Sequence, residues 1–261
     1  MSTRNWLLAL GAVAGYLTTN SAAALESYRR VSNPGEPIQP PSTVSVVVPA
    51  WHEPDELLEI SLSSLRGQTV VQRYPELFDF IFVGCEGTNL DIPSKYGYRV
   101  LCAPRGKLRA RHLGIVSAEG EIIVAADADS FYPPGWLDLM LRPFYDPGVV
   151  ATTSTTWQGS LEPLAALPKL LVYENRMSGR GSAFRRWAYF AVGGFDLGAD
   201  DRYLETGDTN ILVEEEEVGF KRRLEALGRV TLVDAPVIHL GVTHSRGLRA
   251  DLLPTPEGQG F

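Results

Sequence analysis

Asp127 and Asp129 stand one residue apart at the end of the apolar run Ile122-Ile123-Val124-Ala125-Ala126, within GEIIVAADADSFYPPGWL over residues 120–137. Gly120 bounds that run on one side, and Pro133, Pro134 and Gly135 bound it on the other. The pattern predicts a buried strand with both acids at its carboxyl end. Burying ionised carboxylates costs on the order of several kcal/mol unless a partner compensates them. A divalent cation is one such partner. Mg2+ and Mn2+ take oxygen ligands and are commonly held by one or two carboxylates together with substrate phosphates. The alternative is a turn in which the acids cap the segment that follows. A second acidic group, Glu214-Glu215-Glu216-Glu217, opens VEEEEVGFKRRLEALG. Mutual repulsion there raises the proton affinity of one member, which suits a general base. Its alternative is a solvated helix start favoured by the macrodipole.

These residues need a frame. VSVVVPA, residues 44–50, is a continuous β-branched run suited to a strand buried on both faces. PDELLEISLSSLRGQ follows as a helix with Leu57, Ile60, Leu62 and Leu65 as its apolar positions. FDFIFVG and YRVLCAP read as strands, KLRARHLGIVSAEG as a helix, and the strand ending in the two aspartates comes next. GVVATTSTTWQG predicts a strand, PLAALPKLLVYENRM a helix, and GSAFRRWAYFAVGGFD a strand or turn region. VEEEEVGFKRRLEALG then predicts a helix with Phe220, Leu224 and Leu227 on one face and Gly228 as its stop. VTLVDAPVIHLG closes the fold as one or two strands. Strands alternating with helices predict an α/β domain with a mostly parallel, Rossmann-like sheet flanked by helices. Such sheets bind ligands beyond the carboxyl ends of their strands, where Asp127 and Asp129 lie.

The chain has 261 residues, 44% hydrophobic and 21% charged, the composition of an ordinary globular protein. A net charge of -7 argues against a nucleic-acid partner. Cys85 and Cys102 fit no zinc pattern and are too few for a disulfide scaffold, so they read as reduced thiols of a cytosolic compartment. The charge-free stretch from Asn5 to Leu25 is long enough to cross a bilayer, which takes ~20 residues. A cleaved secretory signal and a packing helix are its rivals. Arg29 and Arg30 follow the segment and only Arg4 precedes it, which leans towards a cytoplasmic domain anchored by a single amino-terminal span. The chain thus divides into residues 1–30, an apolar amino-terminal segment; 31–43, a proline-rich linker; 44–245, the domain; and 246–261, a loose tail.

VSVVVPAWHE, LEISLSSLRGQT, GKLRARHLGIVSAEGEIIVAADADS, GSAFRR with GGFD, and EEEEVGFKRRLEALG occur in an order that resembles the family 2 glycosyltransferases. That resemblance covers roughly residues 44–245. It implies a single domain of GT-A fold and a nucleotide-diphospho-sugar donor. On this footing Pro49, Ala50 and Glu53, after the first strand, would touch the nucleotide. Glu86 stands where relatives end the second strand in Asp-Gly-Ser. GKLRARHLG matches a Gly-Lys-x-x-x-Ala-Arg-Asn block, giving Lys107 and Arg111 towards the nucleotide, with His112 in place of Asn. The alternative for Lys107 is a solvated basic helix face. Asp127, Ala128 and Asp129 would line the donor site, and the two aspartates would ligate the metal.

Gly181 and Gly194 allow close backbone approach in the donor and acceptor cleft, while Phe184 and Trp187 equally suit a core. Relatives carry Glu-Asp six residues before an Arg-Leu pair. Counting back from Arg223-Leu224 assigns the catalytic acids to Glu216 and Glu217, with Glu217 as base and Glu216 or Glu215 as fallback. His239 would complete the metal site, ahead of His244, and a structural histidine is the alternative for either.

The resemblance implies a metal-dependent, inverting, hexosyltransferase-like enzyme that uses Mn2+ or Mg2+. The acceptor class is a glycan, a lipid-linked sugar or a protein. No Gln-x-x-Arg-Trp motif is present, which argues against processive polymer extrusion. A nucleotidyltransferase on a similar sheet and a non-catalytic sugar-nucleotide binder are the alternatives.

Overall fold

The valine-rich run after the prolines forms the middle of the sheet. β1 (Val44–Pro49) is buried along its length and pairs in parallel with β2 (Phe78–Gly84) and β4 (Ile122–Ala126). The structure, a computed structural model, describes residues 26–84, 87–158 and 176–240. Among these, β3 (Arg99–Cys102) extends the parallel half, and β7 (Gly181–Arg185) runs antiparallel to β4. β5 (Ser130–Phe131), β6 (Val149–Gln158) and β8 (Arg229–His239) complete the order β3-β2-β1-β4-β7-β6-β8-β5. The sheet is mainly parallel, as the alternation of strands and helices predicts.

The helices are α1 (26–32), α2 (Asp55–Arg66), α3 (Thr69–Arg73), α4 (Asp91–Lys95), α5 (Lys107–Ser117), α6 (Trp136–Leu141), α7 (Arg186–Ala191), α8 (Gly198–Thr206), α9 (Thr209–Val213) and α10 (Phe220–Glu225). Side chains alternate across a strand, so β1 feeds two cores. Val44, Val46 and Val48 join Leu58, Leu62 and Leu65 of α2 and Trp136 of α6. Val47 joins Leu108 and Ile115 of α5 and Phe220 and Leu224 of α10. Gly114 lets α5 lie close to the sheet, because a Cβ there would fall 2.3 Å from Val47 Cγ1. The amino end of α5 and the carboxyl ends of β1 and β4 therefore converge.

Several local expectations change. The buried stripe of α2 is Leu58, Ser61, Leu62 and Leu65, while Ile60 is exposed. Ser61 displaces it because its hydroxyl lies 2.9 Å from the Asp127 carbonyl and 2.7 Å from that of Ser130. GSAFRRWAYFAVGGFD divides into β7 and α7, with Gly193 and Gly194 in the left-handed region beyond them. Phe184 is buried and Trp187 exposed. Phe220 and Leu224 dock as expected but Leu227 is exposed, because the helix ends at Glu225.

The proline-rich segment runs against the domain. Val31 is fully buried and its carbonyl accepts from Gly135 N–H at 2.8 Å. α1 is held by Ser27 and Arg30 on the Asp234 carboxylate. Among the described residues, no helix is long and apolar enough to cross a membrane. The apolar stretch from Asn5 to Leu25, Cys85, Glu86, most of the predicted PLAALPKLLVYENRM helix, His244 and the tail lie outside the described residues.

Candidate active site

The turn after β4 is fixed by hydroxyls and an amide from the first core. Asp127 N–H donates to the Tyr132 hydroxyl at 2.8 Å, and that hydroxyl lies 2.9 Å from the Arg180 carbonyl. Gln68 donates to the carbonyls of Tyr132 and Pro133 at 2.9 Å and accepts from Leu137 N–H at 2.8 Å. Buried backbone groups require partners of this kind. The turn is consequently rigid and places its two carboxylates in different surroundings.

Asp127 faces cations. Its carboxylate accepts from Arg111 at 2.5 Å and lies 3.4 Å from Lys107 Nζ. Lys107 and Arg111 are four apart on α5, so they share one helix face. The same pair meets Glu216, with Lys107 Nζ 3.1 Å from the carboxylate and Arg111 against its other oxygen. The Arg111 and Glu216 side chains are 1% and 5% exposed. Two acids and two cations thus form a cluster in which Arg111 and Glu216 are buried and Lys107 reaches the surface, and this is what compensates Asp127.

Asp129 faces the other way. Leu240 N–H holds its carbonyl at 2.9 Å, and its carboxylate lies 2.9 Å from His239 Nε2. Pairing of Ser130 with His239 across β5 and β8 sets that contact. Burial pushes the Asp129 carboxyl up, but the hydrogen bond and charge of His239, with Arg180 and Lys107, outweigh it and bring it to about 2. Glu53, just after β1, accepts from Trp51 N–H. Burial pushes its carboxyl up to about 7 against its backbone hydrogen bonds, and the charges of Asp129 and Asp127 add to the push.

The four glutamates are separated by a π turn over Glu214–Gly219. Neighbouring side chains on a helix do not face each other, so Glu215, Glu216 and Glu217 take different partners. Glu215 accepts from Arg223 at 2.6 Å and from Asp196 N–H at 2.9 Å, which ties it to the GGFD turn. Glu216 enters the cation cluster. Glu217 lies 3.5 Å from Arg176 and accepts from Gly179 N–H at 3.4 Å.

A family model for Glycosyl transferase family 2 matches residues 45–195. The chain belongs to glycosyl transferase family 2. A search of curated proteins finds no match. Among solved structures it is similar to the mannosyltransferase PcManGT from Pyrobaculum calidifontis, in complex with GDP-Man and Mn2+. The TM-score is 0.55 at 22% identity, over 89% of this chain and 69% of that one. GalNAc-T7 with UDP, GalNAc and Mn2+ matches with TM-score 0.56 at 17% identity, over 78% of this chain and 44% of that one. A mycobacterial protein matches with TM-score 0.53 at 19% identity, over 78% and 69%. At these identities the likeness is one of fold, and the fold is GT-A.

Within this glycosyltransferase, Pro49, Ala50, Glu53, Asp127, Ala128 and Asp129 all lie at the carboxyl ends of β1 and β4. Lys107 and Arg111 reach Asp127 and Glu216, and His239 reaches Asp129. His112 does not join them. Its Nδ1 lies 2.9 Å from the Tyr189 hydroxyl, in the second core. Among the described residues no three His, Cys, Asp or Glu side chains converge as a metal site. The sequence reading missed Arg180, 3.8 Å from Asp127, and Trp51, whose exposed ring lies 4.2 Å beneath the Arg105 guanidinium. A tryptophan directly after the apolar run VSVVVPA was the available signal for Trp51.

Proposed function

We propose that this glycosyltransferase moves a sugar from a nucleotide-diphospho-sugar to an acceptor hydroxyl with inversion at the anomeric carbon. The observation that carries the reading is the divided Asp-x-Asp turn. The Asp127 side chain is 12% exposed and saturated by cations, whereas that of Asp129 is 28% exposed and shares its site with a histidine. A carboxylate and an imidazole at a strand end suit Mn2+ completed by water and phosphate oxygens. Asp129 and His239 are therefore the residues that would hold the ion, with Asp127 turned to Lys107 and Arg111. Both solved relatives named above with a nucleotide also contain Mn2+. When bound, the cation supplies positive charge that stabilises the departing diphosphate.

The protein's own residues divide the remaining work. Lys107, between Asp127 and Glu216, keeps a positive charge beside the diphosphate position. Glu217, outside the cation cluster, takes the proton of the acceptor hydroxyl as that oxygen bonds to the anomeric carbon. The bond from that carbon to the phosphate oxygen breaks, and the nucleoside diphosphate leaves with its electron pair. The acceptor belongs to the class of glycans, lipid-linked sugars or proteins bearing a free hydroxyl.

The test titrates GDP and UDP, each with and without Mn2+, and then assays the preferred nucleotide's sugars. The expected result is Mn2+-dependent binding and release of nucleoside diphosphate. Turnover of a nucleoside triphosphate with a sugar 1-phosphate, releasing pyrophosphate, in place of turnover of the nucleotide-sugar would make the enzyme a nucleotidyltransferase. Binding without turnover on any acceptor class would make it a binder.

A further inference from the structure

α5 opens against the usual electrostatic rule. Its first turn carries Lys107 and Arg109 and no acid, so two cations meet the positive end of the helix macrodipole. Gly106 precedes it and offers no side-chain cap. The missing cap comes from elsewhere in the chain. Asp200, on α8, accepts from Leu108 N–H at 3.2 Å through one carboxylate oxygen and from Arg109 N–H at 2.8 Å through the other. Its neighbour Asp201 pairs with the Arg109 guanidinium. Asp200 is 0% exposed, a buried acid whose charge is answered by two amides and the helix end. Gly106 is part of the same device. Its φ of 143° suits glycine, and a Cβ there would fall 2.4 Å from Asp200 Oδ2.

We infer that Asp200 is a positioning residue for the donor side of the site. A helix that begins with cations is held in place by a distant carboxylate because Lys107 in its first turn and Arg111 one turn later are needed at Asp127 and Glu216. Asp200 acts through α5: it fixes the first turn, the first turn fixes Lys107 and Arg111, and these fix Asp127 and the Glu214–Gly219 turn. α8 also holds the GGFD turn, with Arg202 2.8 Å from the Asp196 carboxylate.

The proposal deepens the transferase reading and rests on it for its nucleotide arm alone. Asp200→Ala, Asp200→Asn and Gly106→Ala are compared in the full chain by titration with GDP and UDP in Mn2+, thermal melting and amide hydrogen exchange. Asp200→Ala weakens whichever nucleotide the parent binds by about fivefold, the fold-change of a typical lost cap. Asp200→Asn, with one acceptor oxygen, restores most of that affinity, and Gly106→Ala reproduces the loss from the opposite side of the contact. Faster exchange extends from Leu108 and Arg109 to the Glu214–Gly219 turn. A lower melting temperature with unchanged affinity of the folded protein would reduce Asp200 to a structural cap and overturn the proposal. If the parent binds neither nucleotide, the transferase reading has failed and exchange decides Asp200 by itself. Spread to the glutamate turn then supports it, and exchange confined to residues 108 and 109 contradicts it.

Discussion

Asp127 and Asp129 are separated by one residue on one turn, yet they belong to different halves of the site. Asp127 points towards α5 and is closed in by Arg111 and Lys107. Asp129 points towards β8 and is left open beside His239. Alternation of side chains would put residues so spaced on one face. The turn breaks the alternation, and β5 pairing with β8 carries Asp129 to the far edge. An Asp-x-Asp motif is thus not a pair of equivalent ligands. One acid organises the protein's own charges, and the other is the acid that, in the function proposed above, would hold a cation.

Replacing Glu217 by Gln should have the largest effect. It stands outside both halves, so turnover should fall ~10²–10⁴-fold while Mn2+-dependent nucleotide affinity changes little. Steady-state rates and calorimetry on the same variant check this. Loss of affinity together with rate would place Glu217 in the donor half and break the division.

Arg111→Met attacks the closed half. It leaves Asp127 and Glu216 buried with Lys107 as their remaining close cation on α5, and removal of one partner from a buried pair costs ~3–5 kcal/mol. Urea unfolding of variant and parent measures it. A loss below about 1 kcal/mol would mean that the cluster is solvated and worth no more than a surface pair.

Glu53→Gln sharpens the open half with a smaller, pH-dependent effect. The Glu53 carboxyl is raised from 4.5 to about 7 in the folded chain. Between those values the native state holds a proton that the unfolded chain releases, so this group's contribution is full below about pH 4.5 and is lost as pH rises through about 7. With chelator present, urea midpoints of the parent should fall relative to Glu53→Gln as pH rises from about 4.5 to about 7 and level off above that. Parallel profiles would show that neither burial nor the two aspartates raise the Glu53 carboxyl in the folded chain.

The frame of the site was legible because its signals are local. Five apolar residues followed by two acids mark a strand end, and a Lys and an Arg four apart mark one helix face. Partnership was not legible, since Asp127, Arg111 and Glu216 meet only once the sheet and three separate segments are assembled. Ser61 shows the limit of apolar periodicity. A hydroxyl takes the buried position predicted for Ile60 because two strand-end carbonyls need a donor. Four identical glutamates likewise do not tell which one faces the cations, and the fold ion-pairs Glu216 while Glu217 lies beside Gly179. Asp200 was invisible for a related reason: in the sequence it reads as an acid in the first turn of its own helix, α8.

Mn2+ dependence of nucleotide binding, compared between Asp129→Ala and Asp127→Asn, tests the divided turn most directly. GDP and UDP are titrated with and without Mn2+ at a temperature where both variants remain folded. Asp129→Ala should abolish the Mn2+ dependence, while Asp127→Asn should keep it and show its loss in stability instead. Mn2+ dependence that survives in Asp129→Ala and disappears in Asp127→Asn would contradict the account.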